Sequence, residues 1–174
     1  MITFRDLTAD DIEVRVQSVK HTGVVLLLYK NARVDMNILD ETVGAENWQR
    51  EHYECKGNLF CRVGLRTVEK DGSGVEWVWK SDCGVESNTE AQKGEASDSF
   101  KRACFNWGIG RELYTSPFIW VGDRKCNIVD GKCYDKFVVE KIVIENKQIT
   151  AISIINNSLK TDTPKEKRCF VWQR

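Results

Sequence analysis

The fold of this chain is decided by residues 88–120, which have the sequence NTEAQKGEASDSFKRACFNWGIGRELYTSPFIW. Thr89 and Gln92 show the spacing of a capping box, so a helix is predicted to begin near Thr89. Gly108 is expected to end this helix in the left-handed conformation. Between them, apolar side chains recur on one helix face at Ala96, Phe100, Ala103, Cys104 and Trp107. The segment is therefore predicted to be a helix that packs an apolar stripe against a core.

Polar side chains form a second stripe on the same helix. Lys93, Ser97 and Lys101 follow one another at intervals of four residues, with Arg102 on their flank. Cationic and hydroxyl groups in a row can bind consecutive phosphates of a nucleic acid. The same row also fits a solvated helix face, and the spacing alone does not separate the two interpretations. Gly94, inside the helix, favours a close approach of another group to the backbone.

One run within this stretch, KGEASDSFKRACFNWGIGRELY, resembles the signature of phage and bacterial single-strand annealing proteins of the Rad52 superfamily. These proteins are relatives of the eukaryotic annealing protein that forms rings on single-stranded DNA. A weaker resemblance extends back to about Asp10, through YKNARVDMNILDETVGAENW, and covers about two-thirds of the chain.

The resemblance implies an α+β fold in which an antiparallel β-meander packs on a long central helix, a β-β-β-α annealing core. Residues 1–122 are then expected to form the annealing domain, and residues 123–174 a C-terminal β-hairpin extension of the same domain. The implied function is ATP-independent binding and annealing of single-stranded DNA in recombination and repair. Subunits would assemble into a ring or helical array, with no cofactor, and with room for a single-strand-binding protein as a further partner.

Composition is that of a globular protein, with 41% hydrophobic and 30% charged residues. The start, MITFRDLTADD, lacks the basic and apolar regions of a secretory signal, and the longest apolar run, Val24 to Tyr29, is too short to span a bilayer. We therefore expect a cytoplasmic protein without membrane contact. The formal net charge is zero, so any binding of a polyanion has to rely on cations that the fold concentrates locally.

Residues with catalytic or metal-binding chemistry do not form a recognisable motif. The seven cysteines include no CxxC pair, and neither histidine has a cysteine at the ligand spacing of a zinc site. His52 and Cys55 would point to opposite faces of a strand, which disfavours a cysteine nucleophile. The acidic residues follow helix faces and caps, unlike the carboxylate cluster of a nuclease. We expect neither an enzyme nor a metal site, and mostly buried, reduced thiols.

The first 43 residues are predicted to contain three elements. Residues 10–16 suit either a short helix after Thr8 or a strand, and the helix is preferred. The run from Val24 to Lys30 predicts a buried strand, and the spacing of apolar residues after it predicts a helix from Arg33 to Val43. By resemblance, Arg33 would contact the DNA backbone. A surface arginine beside Asp35 is the alternative.

The chain from Trp48 to Asp82 predicts a three-stranded meander of WQREHYEC, GNLFCRVGLRTV and VEWVWKSD, with a turn at EKDGSG. Leu59, Cys61, Val63 and Leu65 alternate onto one face of the second strand, while Arg62 and Arg66 lie on the other. Val75, Trp77 and Trp79 are expected to face together, with Lys80 opposite. Arg62, Arg66 and Lys80 would then form a cationic solvent side beside the helix.

The sequence Gly108-Ile-Gly110-Arg111 is predicted to be a turn, because a nucleotide loop would need a third glycine and a preceding strand. Tyr114, Pro117, Phe118 and Trp120 then form an apolar segment that could pack on the helix or on a neighbouring subunit. After residue 123, the alternation of apolar residues predicts a hairpin with a bulge and a turn at Asn146-Lys147, followed by a last strand, CFVWQR. The function of this part is left open.

The chain departs from the resemblance at one position. In the eukaryotic relative a further basic residue follows the Lys-Arg pair on the next helical turn, where this chain has Phe105. The aromatic ring could stack on a base or pack in the protein. The alternative function is an oligomeric scaffold or protein-interaction module that has the same fold and binds little nucleic acid. The zero net charge favours this alternative.

Overall fold

The computed structural model describes residues 2–68, 72, 74–85, 91–161 and 163–174, with the backbone alone for residues 91–93. The helices are α1 (Ala32–Val43), α2 (Ala91–Trp107) and α3 (Pro164–Lys167). The strands are β1 (Glu13–Lys20), β2 (Gly23–Tyr29), β3 (Trp48–Cys55), β4 (Asn58–Val68), β5 (Val75–Cys83), β6 (Ile119–Gly122), β7 (Phe137–Glu145), β8 (Gln148–Asn156) and β9 (Arg168–Gln173). The strands pair antiparallel, and the predicted α+β class is confirmed.

The chain forms two compact units. The first contains Asn31–Arg111 with the residues up to Arg5, and the second contains Asp6–Lys30 and Glu112–Arg174. The domain boundary after residue 122 stays a prediction. In the described part of the chain, no helix combines the length and apolar character that a membrane crossing requires.

Helix α1 in the first unit begins and ends as its sequence predicts. The side chain of Asn31 accepts hydrogen bonds from the amides of Arg33 and Val34, which satisfies donors that the first turn leaves unpaired. Ile38 and Leu39 are fully buried. Gly44 stops the helix with φ 86°, a conformation that favours glycine. The predicted helix over residues 33–43 is confirmed.

The meander β3-β4-β5 is also confirmed, and its two faces differ. Cys61, Val63 and Leu65 of β4 are fully buried on one face, which we call the inner face. Arg62 and Arg66 lie on the opposite, outer face, as the alternation of side chains along a strand requires. The predicted turn between β4 and β5, EKDGSG, lies largely outside the described residues.

Helix α2 packs against β4 and β5 on the inner face. Phe100, Ala103 and Cys104 are fully buried, so the centre of the predicted apolar stripe is confirmed. Gly108 ends the helix with φ 93°, and the amide of Ile109 donates to the carbonyl of Cys104 at 3.1 Å. The predicted capping box of Thr89 and Gln92 lies outside the described residues.

The backbone of α2 comes closest to the sheet at Gly84, just after β5. A Cβ atom at this position would lie 2.2 Å from the carbonyl oxygen of Glu95 and 3.0 Å from the amide of Ser99. The carboxylate of Glu95 accepts from the amide of Leu59 at 3.0 Å, and that of Asp98 accepts from the amide of Val85 at 3.1 Å. The helix is therefore joined to one end of the sheet by its backbone and by two carboxylates.

The second unit contains a six-stranded sheet in the order β6-β2-β1-β7-β8-β9. The predicted hairpin of β7 and β8 is confirmed, with Asn146 and Lys147 at positive φ in its turn and a bulge between Val139 and Lys141. The central strands β1 and β7 pair at one position, Glu13 with Val138. The sheet is thus two three-stranded halves that share one short junction.

The preferred helix over residues 10–16 is wrong. Thr8 and Asp11 do form a capping box, but the helical turn covers only Ala9–Asp11 before β1 begins at Glu13. Residues of β1 pair with β2 from Glu13↔Tyr29 to Lys20↔Gly23. The tertiary pairing with a strongly β-forming neighbour therefore overrides a local helix signal.

Replacing Gly84 by alanine should destabilise the protein by about 1–3 kcal/mol, because the added methyl group would overlap with backbone that cannot move separately from α2. Urea unfolding measures the change. The control is Gly122→Ala, since Gly122 has φ −69° and a Cβ atom there would lie 3.9 Å from the carbonyl oxygen of Thr22, an ordinary contact. Equal unfolding midpoints for the two variants would contradict the close approach at Gly84.

The bulge in β7 directs Glu140 towards the guanidinium of Arg168, which donates to the carboxylate at 2.6 and 2.7 Å. These hydrogen bonds lower the pKa of Glu140 to about 2. Because the folded pKa lies below the unfolded value, this stabilisation is present above about pH 4.3 and is lost as the pH falls towards 2.

Glu140→Gln should therefore lower the free energy of unfolding by about 1 kcal/mol at neutral pH, and the difference from the wild type should shrink as the pH falls to 2. Unfolding curves across this pH range make the comparison, with Glu145→Gln at the end of the same strand as the control. A difference that does not depend on pH would show that the ion pair is not its cause.

Candidate nucleic-acid interface

The predicted cations lie in the first unit, where the structure distributes them over several surfaces. Two of them, Lys80 and Arg102, come together at the seam between α2 and β5. The Lys80 ammonium donates to the carbonyl of Asn106 at 2.9 Å, and the Arg102 guanidinium lies 3.4 Å from a carboxylate oxygen of Asp82. Both are thus engaged by groups of the fold itself.

The predicted position of Lys80 on the solvent side with Arg62 and Arg66 is wrong. In the observed register Lys80 is opposite Val63, and residues directly opposite each other share a face. Lys80 therefore belongs to the inner face, at its exposed edge, with its ammonium 4.6 Å from the centre of the Trp107 ring. A cation that binds a carbonyl near the end of a helix also stabilises the helix dipole.

Arg111 is a second cation at the same end of α2, and the sequence assigned it only to a turn. Its guanidinium donates to the carbonyl of Phe105 at 2.8 and 3.0 Å and to that of Asn106 at 3.1 Å. These carbonyls belong to the last turn, where the regular helical hydrogen bonds end, and that of Phe105 also accepts from the amide of Gly108 at 2.9 Å. Lys80 and Arg111 together therefore satisfy the end of the helix.

Lys101 lies on a different flank of α2 from Arg102. One flank of α2 faces β5 and the neighbouring end of the sheet, and it carries Arg102, Asn106 and Glu95. Consecutive residues of a helix point about 100° apart, so the residue before Arg102 points elsewhere. Lys101 and Ser97 consequently lie on the flank away from β5. Among the described residues, the Lys101 ammonium forms no ion pair or hydrogen bond. The side chain of Lys93, predicted to continue this row, lies outside the described residues.

Arg50 on β3 is a further cation beside α2, which was not among the predicted site residues. It is opposite Val63 on the inner face, and its guanidinium lies 4.7 Å from the centre of the Phe100 ring of α2. Trp48 stacks on the same ring at 6.1 Å, and His52 contacts the carbonyl of Ala96 at 3.0 Å. Alternation along WQREHYEC places Trp48, Arg50 and His52 on one face of β3, but it does not indicate that α2 packs on that face.

The two arginines of the outer face have polar contacts. Arg62 donates to the carboxylate of Glu51 at 2.5 and 2.9 Å, and Arg66 donates to the side-chain oxygen of Asn47 at 3.4 Å. The structure therefore separates Arg62 and Arg66 from Lys80 by the thickness of the sheet, although all three were expected on one surface.

Arg33 is exposed in the first turn of α1. The neighbour considered as its surface partner, Asp35, is fully buried. Within the described residues the Arg33 guanidinium forms no ion pair or hydrogen bond. Its cationic end is consequently available to a ligand.

A cysteine and a histidine do face each other in this unit, since Cys61 is opposite His52. Burial raises the pKa of the Cys61 thiol to about 11. The thiol is therefore protonated at neutral pH, which is unsuited to a nucleophile. Cys55, as predicted, lies on the other face of β3 from His52.

The first unit is thus an α+β unit in which α2 covers one face of the β3-β4-β5 meander. A family model described as Rad52/22 family double-strand break repair protein matches residues 4–128. The chain belongs to this family, and the resemblance seen in its sequence is confirmed. The match contains the whole first unit from Asn31 to Arg111 and ends before β7. No curated protein and no solved structure matches the chain.

Lys80→Met should lower the free energy of unfolding by about 0.5–1 kcal/mol, because the last turn of α2 loses a cationic hydrogen-bond donor. Lys101→Met, which removes the same charge from the flank of α2 away from β5, where Lys101 forms no ion pair or hydrogen bond with the described residues, should leave the unfolding midpoint unchanged. Urea unfolding of both variants tests the assignment. An equal loss in both would mean that Lys80 has no special part in ending the helix.

Proposed function

We propose that this protein binds single-stranded DNA and anneals complementary strands without ATP, as an oligomer in the form of a ring or helical array. Membership of a family of double-strand break repair proteins supports the setting of DNA recombination and repair. The observation that carries the proposal is Lys101, a cation on the flank of α2 whose charge has no partner in the described part of the chain.

Phosphate contacts would hold the strand in this proposal. Arg33 and Lys101 have charges available to a ligand, and Lys93 belongs to the same row in the sequence. Arg102 and Lys80 would have to leave Asp82 and the carbonyl of Asn106, so we assign them a smaller share. Arg62 and Arg66 would act on the other side of the sheet. Such contacts bind the backbone without regard to sequence.

Annealing then follows from which part of the strand is left exposed. A strand held by its phosphates keeps its bases accessible, so a complementary strand can test pairing along it. Base pairing itself supplies the free energy, and neither a catalytic residue nor a nucleotide cofactor is needed. The zero net charge is compatible with this proposal because few phosphates are contacted by each subunit.

The proposal is tested by annealing of two complementary fluorescent oligonucleotides without ATP, together with native mass measurement of the assembly. Wild type should accelerate annealing, and Lys101→Met should do so less while assembling normally. The matched control is Lys20→Met, which removes an exposed lysine of the second unit. Lys101→Met is preferred to a change at Arg102, because Arg102 contacts Asp82 and its loss would also disturb the seam.

Salt dependence gives a quantitative prediction for the same variant. Each phosphate contact to a single strand contributes about 0.7 to the slope of log affinity against log salt concentration. Lys101→Met should reduce that slope by about 0.7, while Lys20→Met should leave it unchanged. Fluorescence anisotropy with a labelled single strand at several salt concentrations measures both.

Two outcomes would contradict the proposal. If the assembled wild type binds no single strand at low salt, the oligomeric scaffold becomes the better function. If it binds and anneals, but Lys101→Met has the wild-type affinity and slope, the flank of α2 is not the binding surface.

A further inference from the structure

The outer face of the meander carries a cluster of aromatic side chains that the proposed phosphate contacts do not use. Tyr53 and Phe60 stack on each other with ring centres 5.5 Å apart, and Trp77 and Trp79 lie 6.2 Å apart. The cross-strand pairs Tyr53↔Phe60 and Arg66↔Trp77 show that these side chains share one face. We call them the outer aromatic cluster.

One ring of the cluster, Trp79, packs directly on the sheet beneath it. A Cβ atom on Gly64 would lie 2.8–2.9 Å from atoms of the Trp79 ring, so this ring lies directly on the glycine backbone. The Arg62 guanidinium is 4.5 Å from the centre of the same ring. Trp79 is thereby fixed, and Trp77 beside it is 36% exposed. About a third of the Trp77 surface is thus accessible to a ligand.

The charges around the cluster select a type of ligand. Arg62 and Arg66 lie among the rings, and Glu51 is the acidic residue that faces Arg62. The inner face also carries two cations, but Arg50 lies against the Phe100 ring and Lys80 against the Trp107 ring. Asp82 and Glu54 lie on the same face. An excess of arginine beside open aromatic rings is complementary to phosphates with attached bases.

We propose that the outer aromatic cluster is a second contact surface for single-stranded nucleic acid, on which bases stack against Trp77 beside Trp79. Arg62 and Arg66 contact the neighbouring phosphates. Aromatic side chains on a sheet surface bind bases in this way without strong sequence preference, since every base has a π-face. This inference rests on the proposed function and adds to it a site that recognises bases, where the flank of α2 recognises phosphates.

Stacking has a signature that phosphate binding lacks, because it requires the base. The test compares binding of a labelled thymine oligonucleotide with that of an abasic oligonucleotide of the same length and charge. Wild type should bind the thymine strand more tightly. Trp77→Leu should weaken binding of the thymine strand about tenfold and leave the abasic strand nearly unaffected.

Two further variants make the test specific. Trp77→Phe keeps an aromatic ring and should restore most of the preference for the thymine strand. Phe118→Leu, which changes an aromatic residue that is 73% exposed in the second unit, should behave as the wild type. Circular dichroism and native mass confirm that each variant is folded and assembled.

The outcomes separate this inference from the proposed function. If wild type binds neither strand, the proposed function fails and this inference fails with it. If wild type binds both strands equally, or if Trp77→Leu binds both as the wild type does, the proposed function stands and stacking is refuted. If Trp77→Leu folds but no longer assembles, the cluster is an interface between copies of this chain and the inference is overturned.

Discussion

The close approach of helix α2 to the end of strand β5 is the constraint on which the first unit depends. Gly84 allows the two backbones to meet, because any side chain there would overlap with the carbonyl of Glu95. Glu95 and Asp98 then bind the amides of Leu59 and Val85 at the end of the sheet. These contacts fix the rotation of α2 about its axis. That rotation buries Phe100 and decides which flank each cation occupies.

With α2 fixed in this way, the cations of the first unit are of two kinds. Lys80 and Arg111 bind the last carbonyls of α2, and Arg102 lies beside Asp82, so these three charges help to hold the fold. Lys101 and Arg33 keep charges that the described residues leave available. Counting cations in a sequence therefore overestimates the number that can bind a ligand. A neutral protein can still bind a polyanion if the available cations are grouped.

Much of the fold follows from the sequence. The helices at residues 32–43 and 91–107, the meander, and the β7-β8 hairpin with its bulge all have periodicities that local geometry explains. Strand β1 does not, because IEVRV suits either period and is decided by pairing with β2. The candidate site was less predictable. Alternation correctly put Lys80 and the tryptophans on different faces of β5, but it cannot tell which of the two faces a helix will cover.

The main error at the site, the prediction of Lys80 on the solvent side, arose because the face of the sheet that α2 covers was not known. Tryptophans are usually assigned to a core, yet Trp79 lies on Gly64 at the outer face while α2 covers the side of Val63 and Leu65. Arg50 was missed for the same reason, since its contact with Phe100 exists only once α2 is in place. Contacts between elements far apart in the chain set the environment of a side chain, and a local pattern does not contain them.

The order of segments in the two units also has a kinetic consequence. The chain leaves the second unit after Lys30 and returns to it at Glu112, so the pairing of β2 with β6 and of β1 with β7 closes a very long loop. Closing such a loop costs conformational entropy, and non-local pairing slows folding. A first unit that is already folded orders the intervening chain and reduces this cost. The rate at which the six-stranded sheet closes is thus coupled to the folding of the first unit, through the connectivity of the chain.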